Sequence, residues 1–176
     1  LQNMKAKNEK KDNKGFSLVE LIIVIAIMAI LVGIVGTQVL PYINKSKEAK
    51  DFQIINSYGT AATTAYSSNA EKTTAATTIV MDADPSTSNT DATGAPAKTL
   101  AAEIQSLTGY NAVGDMTAKM GSKKGKKITK VVIVINPTDT DVPAKDKTSP
   151  AAAKKTIATQ AYDANGEVFD TVITQL

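Results

Sequence analysis

Residues 14–40 read KGFSLVELIIVIAIMAILVGIVGTQVL. Within them, Leu21–Gly36 is sixteen residues without a polar side chain. Taken from Phe16 to Leu40 the stretch is 25 residues, about 38 Å as a helix at 1.5 Å per residue. A hydrocarbon core is roughly 30 Å thick, so a helix here is long enough to span a bilayer with some tilt. Ahead of it lie Lys5, Lys7, Lys10, Lys11 and Lys14 against Glu9 and Asp12. Such a basic flank is expected to stay in the cytoplasm, which puts the C-terminal body outside.

Three readings compete for this segment. A secretory signal peptide has an apolar region of about 7–15 residues and a small-residue cut site; this run is longer and continues as a polar helix. A permanent single-pass anchor fits the length but leaves Glu20 unexplained. Glu20 sits one turn inside the apolar run, where a carboxylate costs on the order of 3 kcal/mol and marks a functional position. No cationic side chain on the apolar face is near enough in sequence to pair with it. A cut between Gly15 and Phe16 would create an α-amino group four residues before Glu20. In a helical array that amine could pair with Glu20 of a neighbouring copy, so the buried charge would set subunit register.

Lys14-Gly15-Phe16-Ser17-Leu18-Val19-Glu20 followed by the apolar run closely resembles the class III signal of type IV prepilins and pseudopilins. The resemblance implies cleavage after Gly15 by a membrane-embedded prepilin peptidase, N-methylation of Phe16, and a role for Glu20 in assembly. It implies as partners further copies of the chain in a helical homopolymer, the peptidase, the inner membrane before assembly, and indirectly an assembly platform protein and its ATPase. Many family members carry a Pro near the position of Thr37. Here the helix breakers are Gly33, Gly36 and Pro41, so weakening or a bend is expected around 33–41. Gly33 and Gly36 could equally serve close helix packing in the membrane. The resemblance is close over residues 14–40 and architectural beyond them. Met4 is one candidate start.

Composition narrows the alternatives. The 176 residues contain no Cys, His or Trp, which removes the commonest metal ligands and the usual acid–base and thiol groups. No catalytic residue, metal site or cofactor is expected. Without Cys an extracellular head stands on its core, with no disulfide. Many Gram-negative pilins close their C-terminal loop with a disulfide, so its absence fits the pilins of Gram-positive, clostridial-type anaerobes. The net charge is +3, and residues 1–15 carry all of it, because the remaining 15 Lys and 15 Asp/Glu cancel. Overall pI therefore gives no support for nucleic-acid binding, and no specific nucleic-acid partner is expected.

After Pro41, Phe52, Ile55, Gly59, Ala62 and Tyr66 follow helical spacing, while Lys45, Lys47, Glu48, Lys50 and Asp51 are expected to solvate the other side. One helix over about 16–67 is expected, its half at 16–40 apolar. Residues 68–98 are rich in Ser and Thr, with Pro85, Gly94 and Pro96, and read as an αβ-loop. Asp82, Asp84 and Asp91 there could suggest calcium but lack EF-hand-like spacing, so a solvated acidic loop is preferred. Residues 99–176 read as a globular head. A short helix is expected over 99–108, with Leu100, Ile104 and Leu107 on one face, Thr99 capping and Gly109 ending it. Ile128–Ile135 is β-branched and reads as a buried strand. Asn165-Gly166 between two β-rich runs predicts a hairpin with a type I′ turn. Lys123, Lys124, Lys126 and Lys127 around Gly125 read as a solvated turn of gatekeeper charges before an aggregation-prone strand. The segment 137–150 reads as an exposed connection.

The expected class is therefore α+β, a long N-terminal helix with a small antiparallel sheet packed on its C-terminal half. The expected life history is a membrane-held precursor, with leader 1–15, that becomes an extracellular fibre subunit. Such a fibre would serve adhesion, twitching motility, aggregation or DNA uptake. The alternative is a pseudopilin of a type II-like secretion system. A membrane-anchored enzyme or binding module finds no nucleophile–base pair, metal cluster or phosphate loop.

Overall fold

A computed structural model describes residues 15–176. The leader ahead of Gly15, Lys14 included, lies outside the described residues. The first element is helix α1, Leu18–Ser68, 51 residues that run unbroken through Gly33, Gly36 and Pro41. Pro41 has no N–H, so it leaves the Thr37 carbonyl without its helical hydrogen bond. The Thr37 hydroxyl bonds back to the carbonyls of Gly33 at 3.1 Å and Ile34 at 3.2 Å.

The structure divides between Asn44 and Lys45. The second unit follows α1 with β1 (Thr77–Met81), α2 (Pro85–Ser88), β2 (Asp91–Ala92), β3 (Ala95–Pro96), α3 (Ala97–Thr108), α4 (Val113–Thr117), α5 (Lys123–Lys126), β4 (Lys130–Asn136), β5 (Thr156–Tyr162) and β6 (Glu167–Gln175). The main sheet has the order β1-β4-β5-β6, antiparallel throughout. This is the expected α+β arrangement.

Strand alternation sorts side chains to two faces. On one face Ile133, Ile135 and Ile157 pack with Ile55, Tyr58 and Ala62 of α1 and Leu100 and Ile104 of α3. Each of these Ile and Leu side chains contributes about 1.5–3 kcal/mol when fully buried. Gly59 lets the helix approach the sheet: a Cβ there would lie 3.4 Å from Val172 Cγ1 and 3.5 Å from Thr159 Oγ1. On the other face Val132, Val134, Ala158 and Tyr162 are covered by Val142 and Ala152, which pair by two backbone hydrogen bonds of 2.8 and 2.9 Å. Burial on both faces explains why Val131–Ile135 has no polar alternation.

Several expectations are corrected. The Ser/Thr-rich segment 68–98 contains a strand, β1, because Thr77–Met81 is a β-branched run set in a polar context. The outer edge of β1 is closed by Asn89. Its Oδ1 accepts the Val80 N–H at 2.9 Å and its Nδ2 donates to the Val80 carbonyl at 2.7 Å. Helix α3 begins two residues earlier than expected and Thr99 is not its cap. Asp91 accepts the Lys98 and Thr99 amides at 2.7 and 3.2 Å and the Thr99 hydroxyl at 2.9 Å. Leu107 is exposed while Leu100 and Ile104 are buried. Gly109 ends the helix at φ +77°, its N–H bonded to the Gln105 carbonyl.

The β5–β6 hairpin forms, but its loop is four residues and only Gly166 has positive φ. Asp163 takes over the turn by accepting the Asn165 and Gly166 amides at 2.7 and 2.9 Å, so the two-residue type I′ turn is not used. A bulge interrupts the pairing between Thr159 and Ala161. Fully buried Gln160 fills it, donating to the Val168 and Phe169 carbonyls at 3.1 and 2.9 Å. Phe169 adopts φ +64°, and its ring packs 6.3 Å from Phe52 of α1.

Candidate processing and assembly site

Helix α1 starts at Leu18, so Gly15, Phe16 and Ser17 precede it and belong to no helix or strand. The Phe16 side chain is 85% exposed. The Gly15–Phe16 bond thus lies in non-helical, exposed chain, the state in which a peptide bond can be bound by a protease. Ser17 occupies the N-cap: its hydroxyl accepts the Glu20 N–H at 3.2 Å and its carbonyl accepts the Leu21 N–H at 3.1 Å. Glu20 reaches back to the Ser17 N–H at 3.4 Å. This reciprocal arrangement is a capping box, and it places the carboxylate at the positive end of the helix dipole.

The capping box was not anticipated, although Ser17-x-x-Glu20 ahead of an apolar run is its sequence signature. It gives Glu20 a function within a single chain, helix initiation, beside any pairing between chains. Among the described residues no cation lies within ion-pair distance of Glu20.

From Leu18 to Ile43 the large apolar side chains of α1 are 40–72% exposed, and the helix is apolar all round. Such a helix belongs in lipid or among other apolar helices. Among the described residues it is the one helix long and apolar enough to cross a membrane. Gly33 and Gly36 have nothing within 4 Å of an added Cβ, so their surfaces are open within one chain.

The second unit opens on another carboxylate. Asp51 was expected to face solvent with its charged neighbours, yet it is 1% exposed. It accepts the Gly121 amide at 3.0 Å, the Ser122 amide at 2.8 Å, and the Ser122 hydroxyl. The same hydroxyl accepts the Gly125 amide at 3.0 Å, capping α5. The lysines around Gly125 therefore sit on one docked helical turn ahead of β4, with their side chains exposed as expected. An added Cβ at Gly125 would lie 2.5 Å from Asp51 Oδ2 and 2.6 Å from Met120 Sδ, so those side chains would have to shift.

Asp82, Asp84 and Asp91 are engaged locally. Asp82 accepts the Ser88 hydroxyl at 2.6 Å and Asp84 that of Ser86 at 2.5 Å. The Ser86 hydroxyl holds the Asp84 carboxyl below its ordinary range. At Asp91 slight desolvation, which raises the pKa, is outweighed by the Thr99 and Lys98 hydrogen bonds, which lower it. Burial pushes the Tyr162 phenol up to about 12, helped by Glu167 and Asp146, and pushes Tyr58 up further, helped by Tyr110 and Asp115.

Residues 10–36 match the family model of the prokaryotic N-terminal methylation motif. The chain carries a class III prepilin signal. That signal is shared by type IV pilin-like proteins and pseudopilins, and the match supports a protein of this kind. A prepilin signal implies processing by a prepilin peptidase, and with the apolar helix behind it fits a membrane-anchored precursor. The family is structural in character and not one of enzymes. No curated protein and no solved structure matches the chain.

Proposed function

We propose that the chain is the precursor of a type IV pilin, cut between Gly15 and Phe16, methylated on Phe16, and polymerised through the apolar half of α1 into an extracellular fibre. The observation that carries this reading is the sequence of features along one short segment. An exposed, non-helical Gly–Phe bond is followed directly by a cap holding the one carboxylate of an otherwise apolar helix start. Once the helices leave the membrane they bury one another, and apolar burial at about 25 cal/mol per Å² supplies the cohesion. Cleavage turns the Phe16 amine into a cation four residues from Glu20, available to a neighbouring copy's Glu20. Gly33, Gly36 and Pro41 form the point at which α1 yields during packing.

The partners in this reading are further copies of the chain, the prepilin peptidase, the membrane, and the assembly platform and ATPase acting indirectly. The fibre would act in adhesion, twitching motility, aggregation or DNA uptake. A pseudopilin shares the signal and the assembly logic, and differs in forming no fibre that can be sheared from the cell.

The test is mass spectrometry of the N-terminal peptide from protein sheared off the cell surface. A chain beginning at methylated Phe16 is expected; an uncut chain found only in membranes overturns the reading. Glu20→Ala is expected to leave cutting largely intact and to lower the yield of fibres strongly. Unchanged yield would remove Glu20 from assembly and leave it only its capping role.

A further inference from the structure

The lysines of the second unit are not spread evenly. Lys45, Lys47 and Lys50 stand on α1 immediately after the apolar stretch ends, and all three are exposed. Lys123, Lys124, Lys126 and Lys127 come from a segment some seventy residues later, and they are exposed as well. The two groups are brought together by the contacts of α5. Asp51 grips Gly121 and Ser122, the site of a Cβ on Gly121 lies 3.7 Å from the Lys47 side chain, and Lys124 lies 3.9 Å from Glu48.

Seven lysines therefore cluster around the first turns of the second unit. The nearby carboxylates are Glu48, Asp51 and Asp170, which leaves a net of +4 there. Of the seven lysines, only Lys124 has a carboxylate within ion-pair distance among the described residues. Gathering so many like charges is unfavourable in isolation, and the fold does it with a buried carboxylate and a glycine whose added Cβ would displace that carboxylate.

We propose that this cluster binds the anionic headgroups of the leaflet from which α1 emerges. Asp51 lies seven residues beyond Asn44 in the sequence. A lysine held close to any anionic lipid surface gains about 1 kcal/mol there. Tyr42, 70% exposed just before the cluster, has the amphipathic character of an interfacial anchor. The proposal rests on α1 spanning a membrane and is independent of polymerisation.

The test uses the full chain reconstituted into vesicles of phosphatidylcholine alone, and into vesicles where phosphatidylglycerol replaces part of it. Lysine acylation by a water-soluble reagent is followed by mass spectrometry, with exposed Lys72, Lys145 and Lys147 as internal controls. Lys123, Lys126 and Lys127 are expected to react roughly fivefold more slowly in the anionic vesicles, with the difference lost in high salt. Replacing these three by Gln is expected to weaken the protection of Lys45 and Lys47 while leaving the thermal unfolding curve unchanged. Equal acylation in both vesicles overturns the proposal. So does protection by added duplex DNA in phosphatidylcholine vesicles with none from phosphatidylglycerol. Failure of the chain to co-float with either vesicle overturns both the proposal and the membrane-spanning reading beneath it.

Discussion

Leu18–Asn44 and Lys45–Ser68 are two stretches of the same helix with opposite fates. The first is apolar all round and none of its residues is buried within the chain. The second is chemically mixed, yet it buries Asp51, Ile55, Tyr58, Gly59, Ala61, Ala62 and Ala65. A narrow stripe is enough when a sheet is there to receive it, whereas a helix apolar on every side has no partner inside its own chain. The stability of the second stretch is therefore intramolecular, and that of the first must come from lipid or from other copies.

The sharpest way to break this contrast is a pair of truncations. Ile55→Ala is expected to destabilise the second unit by about 2–5 kcal/mol, read as a lower melting temperature in detergent. Ile25→Ala, one of the exposed apolar residues, should leave that transition where it is. A smaller loss is expected for Asp51→Ala. It strands the Gly121 and Ser122 amides and should cost about 2–3 kcal/mol, with faster amide exchange confined to 119–128. An unchanged exchange pattern would mean the carboxylate is not what seats α5.

Smaller still, Gly33→Ala with Gly36→Ala should stiffen the first stretch by about 1 kcal/mol per residue on the scale measured in water. Nothing stands within 4 Å of either new Cβ in one chain. Slower amide exchange around 33–41 in micelles would support a weak point there, and no change would remove it. Least in size is a pH effect on the second unit. Tyr162 and Tyr58 hold their protons more tightly when folded, so between about pH 10 and 12 the native state binds more protons than the unfolded one. Stability should be fully present below pH 10 and fall as pH rises. Chemical denaturation across that window measures it, and Tyr162→Phe should flatten the fall.

What could be read from the sequence was what depends on neighbours along the chain. The apolar run, the stripe through Ile55 and Ala62, and the β-branched run of β4 each announce their environment by local pattern. Thr77–Met81 escaped because five residues amid Ser and Thr are too short to show a period. Asp51 escaped because its charged neighbours are solvated and its partners lie some seventy residues away. Asp91 and Asp163 displaced Thr99 and Asn165 from their expected turn and cap positions, since a carboxylate can accept two amides at once. At the candidate site the opposite holds. Gly15, Phe16 and Glu20 stand within six residues, so the candidate positions could be named from local sequence, while the Ser17–Glu20 capping box emerged only from the structure.

The side chain of Asn89 carries a consequence for the company the protein keeps. By answering both the N–H and the carbonyl of Val80, it occupies a point where a foreign strand would begin to pair. A sheet with an unguarded outer strand can template its like, and the hazard grows when many copies are held side by side. In the fibre proposed above, copies that meet through a helix would have to keep their β-structure from pairing first, and one asparagine blocks that competing route at Val80 of β1.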